Sequence, residues 1–286
     1  MTHPAIRPVF VCGPTASGKS AFALRLAERI GGEVVNADAF QLYRGLGALT
    51  AMPGQEDLRR LPHHLYGVVE PAAVMDAGAY LRLARPVIEE IAGRGKTPVV
   101  TGGSGLYLKF LTHGPSPLPQ GDPALRAQLD ARPLAELVAE LRRLDPREAA
   151  RTPLQNRRYV ARALEICLLS GQPASTLRDQ WAAATAAASG QLRGFLLSRP
   201  RPELHQRIAA RTRAMLDGAA PAEVAAVTAP SATCVKAIGF REIRRLLAGE
   251  IDRATCEEAI NAATRQYAKR QETWFRRETW LQPVAP

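Results

Sequence analysis

Cysteine, lysine and long apolar runs are what this chain lacks. Its four cysteines, Cys12, Cys167, Cys234 and Cys256, are scattered with no C-x-x-C spacing. That scatter argues against a disulfide framework or a zinc site and for buried free thiols. The adjacent His63 and His64 point apart, and no third ligand is spaced to join them, so packing is the expected role of both. No apolar stretch approaches the length that spans a bilayer, and Met1-Thr-His-Pro-Ala5 lacks the apolar core of a secretion signal. The expectation is a reduced, cytoplasmic protein with no membrane partner.

Lysine supplies only five of the 38 cationic side chains, yet the net charge is +11 and the isoelectric point about 10.1. Such a balance suits a polyanionic partner such as nucleic acid. Arginine-rich codons of a GC-rich genome would give the same excess, so charge alone leaves both readings open. Hydrophobic content of 46% and charged content of 23% are ordinary for a globular protein. A chain of 286 residues allows one large domain or a core with an inserted piece.

What is present begins with Gly13-Pro14-Thr15-Ala16-Ser17-Gly18-Lys19-Ser20, which fits G-x-x-x-x-G-K-[ST]. An apolar run, Pro8–Cys12, leads into it as a buried strand. Ala21–Ile30 follows with apolar residues at helical spacing and stops at Gly31-Gly32. In that strand–loop–helix setting, backbone N–H groups and a helix N-terminus converge on one point and favour a phosphate or diphosphate. Lys19 adds charge to the phosphates and the Ser20 hydroxyl is a Mg²⁺ ligand of the usual kind.

Gly32–Asp38 reads as a second strand ending on an acid. Residues just past strand C-termini face the ligand crevice of an open α/β sheet, which makes Asp38 a candidate neighbour of the phosphates; an aspartate capping the next turn is the competing account. Residues 45–75 are expected to be mostly loop, and Asp76–Ala92 a helix. A third strand, Thr97–Thr101, runs into Gly102-Gly103-Ser104 and a helix around 106–111. Many P-loop nucleotidases place a Mg²⁺-holding aspartate after such a strand. Its absence here makes an ATPase or GTPase less expected, and the glycines offer another backbone-lined approach to a substrate.

From Gly114 the character changes. Pro115–Pro119 is a proline-rich crossing, followed by helical patterns at 122–131, 133–144 and 155–170 and an alanine-rich stretch, Trp181–Gly190, read as a loose loop or weak helix. Leu192–Leu197 resumes as a strand and Arg201–Leu216 as a helix. The organisation is an α/β core, 1–115 with 191–286, and an all-α insertion, 116–190. Arg157, Arg158 and Arg162 with Tyr159 suit an RNA backbone and an unstacked base, or else a solvated helix face. Lys236–Arg241 sets charge, glycine and an aromatic at a turn into a helix. Thr264–Phe275 is a helix with Arg265 and Lys269 on one face and Trp274 and Phe275 packed inward.

Taken in order, GPTASGKS (13–20), NADAFQLYRGL (36–46), PHHL (62–65), GGSGLYLK (102–109), RALE (162–165), AIGFRE (237–242) and TRQYAKRQETWF (264–275) resemble the bacterial tRNA dimethylallyltransferase family over essentially the whole chain. The resemblance implies a P-loop NTPase-like parallel sheet flanked by helices, with a helical insertion that grips the tRNA anticodon stem-loop. It implies transfer of a dimethylallyl group from dimethylallyl diphosphate to N6 of the adenine at tRNA position 37, releasing pyrophosphate. The loop Gly13–Ser20 then holds the diphosphate of an isoprenoid, with Mg²⁺ on Ser20, and Asp38 matches the family's general base. Ser104 matches a threonine that touches tRNA, and Arg126 another contact. Asp38, Ala39, Phe40 and Gln41, then Arg158, Tyr159, Val160, Ala161 and Arg162, and Lys236, Ala237, Ile238, Gly239, Phe240 and Arg241 match tRNA-contacting segments. A monomer is expected, without the C-terminal zinc finger of eukaryotic members.

Two departures stand out. Ala39 replaces the serine that usually follows the aspartate, and Met52 replaces the lysine of a usual Gly-Thr-Ala-Lys-Pro. The rival readings are a P-loop kinase of a small metabolite, an isopentenyltransferase of free adenine nucleotides, and a non-catalytic RNA-binding protein with a relict loop.

Overall fold

A computed structural model of the chain describes residues 7–189 and 192–285, the side chains of 184–189 left aside. Met1–Ala5 and Gly190, on which two expectations rested, lie outside the described residues. The chain divides into two units, Met1–Thr112 with Gln191–Pro286, and His113–Gly190.

In the first unit, β1 (Val9–Cys12) runs into the glycine-rich loop and α1 (Lys19–Ile30), and β2 (Gly32–Asn36) follows at once. Two short helices, α2 (Gly47–Thr50) and α3 (Gln55–Arg60), precede the two-residue β3 (His63–His64). These interrupt a stretch expected to be loop; the first is capped from far away, both carboxylate oxygens of Glu223 accepting from the N–H groups of Ala48 and Leu49 at 2.8 and 2.9 Å. Then come α4 (Ala77–Gly93), whose first turn is capped by Asp76, β4 (Thr97–Gly102) and α5 (Gly105–His113).

The second unit is five helices: α6 (Pro123–Asp130), α7 (Leu134–Leu144), α8 (Pro146–Arg151), α9 (Arg157–Ser170) and α10 (Ala174–Ser189). Leu137 and Leu141 on α7 meet Val160 and Leu164 on α9, pairs spaced i,i+4 so that each helix turns one stripe inward. The short α8 had no periodic signal; the buried carboxylate of Asp145 caps it by accepting from the Glu148 N–H and also ties down Ser175. The alanine-rich stretch continues α10 to Ser189, in line with alanine's intrinsic helix preference.

The first unit resumes with β5 (Arg193–Leu197), α11 (Arg201–Asp217), α12 (Ala220–Ala226), α13 (Phe240–Leu247), the long α14 (Arg253–Phe275) and β6 (Leu281–Val284). The six strands are parallel, in the order β3-β2-β4-β1-β5-β6. Helices flank the sheet, which is why β1, β2 and β4 read as nearly continuous apolar runs instead of alternating ones. β1 lies centrally, Val9 facing Val99 on one side and Arg193 on the other. In such a sheet the C-terminal strand ends share one edge. The loop after β1, Asp38 after β2, Gly103-Ser104 after β4 and Arg199 after β5 therefore come to the same side.

Phe10, Val35, Val100 and Tyr80 are buried in the main core, with Phe10 edge-on to Trp280 at 5.4 Å. Phe275 is buried and Trp274 half-buried against the same core. All four cysteines are buried free thiols. Among the described residues no helix is long and apolar enough to cross a membrane.

Candidate functional site

The loop from Gly13 to Gly18 closes tightly. A Cβ on Gly13 would stand 2.6 Å from the Leu197 carbonyl oxygen, so only glycine fits between β1 and β5. Ala16 adopts a left-handed φ of 63° although it is not glycine, and three arginines brace the backbone around it. Arg199 donates to the Ser17 carbonyl at 2.9 Å, Arg207 to the Ala16 carbonyl at 2.8 Å, and Arg211 to the Thr15 hydroxyl at 3.1 Å. Gln271 of α14 completes the brace: its Oε1 accepts the Thr15 N–H at 2.8 Å, and its Nε2 donates to the Gly103 carbonyl at 2.9 Å. A Cβ on Gly103 would stand 2.0 Å from that amide nitrogen. The Thr15 N–H is thus committed to Gln271 and not to a ligand. The N–H groups at the start of α1, with Lys19 and Ser20, are left to face an anion.

Asp38 lies two residues past β2 in a loop fastened at each peptide. Its N–H donates to Asn36 Oδ1 at 2.8 Å, the Asn36 amide donates back to the Asp38 carbonyl at 3.1 Å, and the Ala39 N–H donates to Ser104 Oγ at 2.9 Å. The Phe40 N–H donates to Asp38 Oδ1 at 3.0 Å, which orients the carboxylate. Thr50, beside this loop, offers its carbonyl to both Gln41 and Arg211, each at 3.0 Å.

These elements enclose one cavity of about 620 Å³, lined by Gly18, Lys19, Ser20, Asp38, Arg211 and Tyr267 among others. Burial lowers the Lys19 ammonium below its ordinary value, Asp38 opposes that shift and Arg211 adds to it. The Arg211 guanidinium is likewise pulled down by burial and supported by Asp38. Lys19, Arg25, Arg60, Arg207 and Arg211 line this space against Asp38 and Asp57, a charge balance that favours a polyanionic group near Lys19 and Arg211. Tyr267 stays a neutral phenol because burial and the nearby Asp38 carboxylate both raise it. Its ring stands 6.3 Å from Phe40 and 5.8 Å from the Arg270 guanidinium. Leu49, Met215, Ile238 and Ile260 give the cavity an apolar wall.

Among the described residues no group of three or more histidines, cysteines or acids could hold a metal by itself. Ser20, exposed on the cavity, and Asp38 are hard oxygen donors that fit Mg²⁺ only if the substrate's own phosphate oxygens complete the shell.

Of the residues singled out from the sequence, Thr15, Ala16, Gly18, Lys19, Ser20, Asp38, Phe40, Gln41 and Ile238 line this cavity, while Gly13, Pro14 and Ser17 shape the loop behind it and Ser104 holds the Ala39 peptide. Ala39 takes part through its N–H alone, so a serine is not needed to fasten this peptide. Lys236 and Arg241 are exposed, whereas Ala237, Gly239 and Phe240 are buried behind them. In the second unit Arg158 and Tyr159 are exposed, but Val160 and Ala161 point into the helical core. Arg126 and Arg162 both engage the fully buried Glu165, and Arg162 also donates to the Pro119 carbonyl at 2.6 Å. Met52 sets its sulfur near Gly67, and nothing in the structure explains the loss of a lysine there. Arg211, Tyr267 and Gln271 belong to the site and were not read as such from the sequence. Arg211 and Arg207 stand four residues apart on one face of α11, a pattern indistinguishable from a solvated arginine face until the fold brings the loop against it.

A family model described as IPP transferase matches residues 41–278. A tRNA dimethylallyltransferase of Akkermansia muciniphila is 45% identical over 280 residues, covering 97% of this chain and 94% of that protein. One of Parvibaculum lavamentivorans is 43% identical, covering 96% and 90%. Among solved structures, a tRNA isopentenylpyrophosphate transferase of Bacillus halodurans superposes with a TM-score of 0.68 at 29% identity, over 99% of this chain and 90% of that one. The fold is the P-loop NTPase-like one of these enzymes, and with the family model spanning most of its length the chain belongs to the IPP transferase family.

Proposed function

We propose that the protein is a tRNA dimethylallyltransferase that moves a dimethylallyl group from dimethylallyl diphosphate to N6 of the adenine just 3′ of the anticodon. The observation that carries this reading is the cavity itself, whose lining brings Lys19 and Arg211 together with the fastened carboxylate of Asp38. The diphosphate lies on the N-terminus of α1 against the two cations, where charge accumulates as the allylic C–O bond breaks. The adenine N6 forms the new C–N bond while Asp38 accepts its proton, so pyrophosphate leaves and the nitrogen is neutral at the end. Ser20 is the residue that would hold Mg²⁺ together with the diphosphate, and a bound Mg²⁺ would draw charge from the leaving group. Extruding the adenine costs about a few kcal/mol from a duplex and less from a loop; the apolar wall and the Phe40–Tyr267 pair offer it a face to rest on.

Purified protein with radiolabelled dimethylallyl diphosphate and either tRNA or AMP tests the proposal. Label is expected in tRNA and not in AMP. Label in AMP alone would move the substrate to free nucleotides, and phosphoryl transfer from ATP with label in neither acceptor would make the protein a kinase.

A further inference from the structure

Asn36 closes β2 opposite Thr101 of β4, and it is fully buried. A buried amide at such a position is costly unless every polar atom is satisfied. Here each is: Oδ1 accepts the Asp38 N–H at 2.8 Å, and Nδ2 donates to the Asp38 carbonyl at 3.1 Å and to the Leu65 carbonyl at 2.9 Å. Leu65 is one of three non-glycine residues with a left-handed φ among the described residues, at 64°, so the same amide also holds a strained peptide. The Asn36 carbonyl is fixed in turn by the Tyr80 hydroxyl at 2.8 Å, and the Tyr80 ring lies flat on Tyr107 at 4.2 Å.

From this geometry we infer that Asn36 is a positioning residue for Asp38: one amide grips both the N–H and the carbonyl of the Asp38 peptide and so fixes where the carboxylate stands. The inference rests on the reading of Asp38 as the general base. No other side chain type serves as well. Aspartate would turn an oxygen toward two carbonyl oxygens, and an apolar residue would leave the Asp38 N–H and the Leu65 carbonyl buried without partners. Asn36 does not line the cavity and so acts through Asp38. A displacement of about 1 Å at a reacting group is enough to cost on the order of a hundredfold in rate.

The test is single-turnover and steady-state kinetics on Asn36→Ala, Tyr80→Phe, Asp38→Ala and the Asn36→Ala/Asp38→Ala double variant, with active sites counted by stoichiometric tRNA binding. Asn36→Ala is expected to lower kcat about a hundredfold while KM for dimethylallyl diphosphate and Kd for tRNA stay within about threefold, and to add no further loss in the Asp38→Ala background. Tyr80→Phe, which leaves the amide in place, is expected to lower kcat severalfold with the same unchanged KM, and carries the test should Asn36→Ala not fold. The inference is overturned by an Asn36→Ala kcat within threefold of wild type or by KM and Kd rising with the loss. A loss that multiplies with that of Asp38→Ala, or Tyr80→Phe kinetics equal to wild type where Asn36→Ala is insoluble, overturns it equally. A fully active Asp38→Ala would instead remove the general-base reading, whatever Asn36 does.

Discussion

Lys19, Arg211 and Asp38 line one cavity, and the proposed chemistry of the site follows from how these three charges depend on one another. Asp38→Ala is expected to lower the transfer rate by two to four orders of magnitude, the usual range for a general base, and to leave tRNA retention on a filter near normal. A variant keeping more than about a tenth of the rate would speak against proton acceptance by this residue. The same carboxylate supports the Lys19 charge against burial. On the proposed reading, Lys19 below its lowered value is a cation that holds the diphosphate, and as pH rises through that value the hold is expected to be lost. Asp38→Asn removes the support, so the alkaline loss of diphosphate affinity, followed by calorimetry, is expected to begin at lower pH in the variant. An unmoved alkaline limb would show that the two groups do not sense each other. Arg211→Lys is expected to weaken diphosphate binding about tenfold or more, because an ammonium cannot reach both the Thr15 hydroxyl and the Thr50 carbonyl as the planar fork does.

At the scale of elements, the site is a loop that other elements hold in shape. α11 and the turn after β5 supply three arginines to three successive residues of it, and α14 supplies Gln271. Gln271→Leu leaves the Gly103 carbonyl and the Thr15 N–H buried and unpaired and is expected to cost about 2–4 kcal/mol of stability, seen as a lowered denaturant midpoint, with a raised KM for the diphosphate. In α9, burial would raise the Glu165 carboxyl, but bonds from Arg162 and Arg126 outweigh it and hold the carboxyl below its usual 4.5. That stabilisation is complete above the usual value and is lost as pH falls through the lowered one. Glu165→Gln is expected to flatten the acid limb of a melting-temperature profile below about pH 4.5, and an unchanged limb would assign acid sensitivity elsewhere.

Strand, loop and first helix were legible in the sequence because their signals are local: an apolar run, glycines at fixed offsets, a helical stripe. Asp38 was legible because parallel sheets put strand ends on one side. α2 was not, since its cap comes from Glu223, and neither were Arg211 and Gln271, whose partner Thr15 lies 196 and 256 residues away. Nor did the pattern in α9 separate Arg158, which is exposed and makes no ion pair among the described residues, from Arg162, which serves Glu165.

For the whole molecule, the question left by composition is whether a net charge of +11 meets a polyanion or reflects codon usage. The two differ in salt dependence. If several arginines neutralise tRNA phosphates, the logarithm of tRNA affinity falls with the logarithm of salt with a slope of about −0.7 to −0.9 per phosphate. Dimethylallyl diphosphate, if held as proposed by the cavity's Lys19 and Arg211, is expected to respond far less. A flat tRNA curve would make the surplus charge incidental to binding.

The brace between Thr15 and Gln271 also has a consequence in time. At synthesis rates of about 5–20 residues per second, the 256 residues between them separate the emergence of the loop from that of its last partner by roughly ten to fifty seconds. Throughout that interval the glycine-rich segment is on the outside of the ribosome with no Gln271 to take its N–H and, for most of it, no Arg211 to take its hydroxyl. A polypeptide broken off before α14 lacks Gln271 and the lining residues Ile260, Thr264 and Tyr267, and calorimetry is expected to find it binding dimethylallyl diphosphate at least about tenfold more weakly than the full chain does.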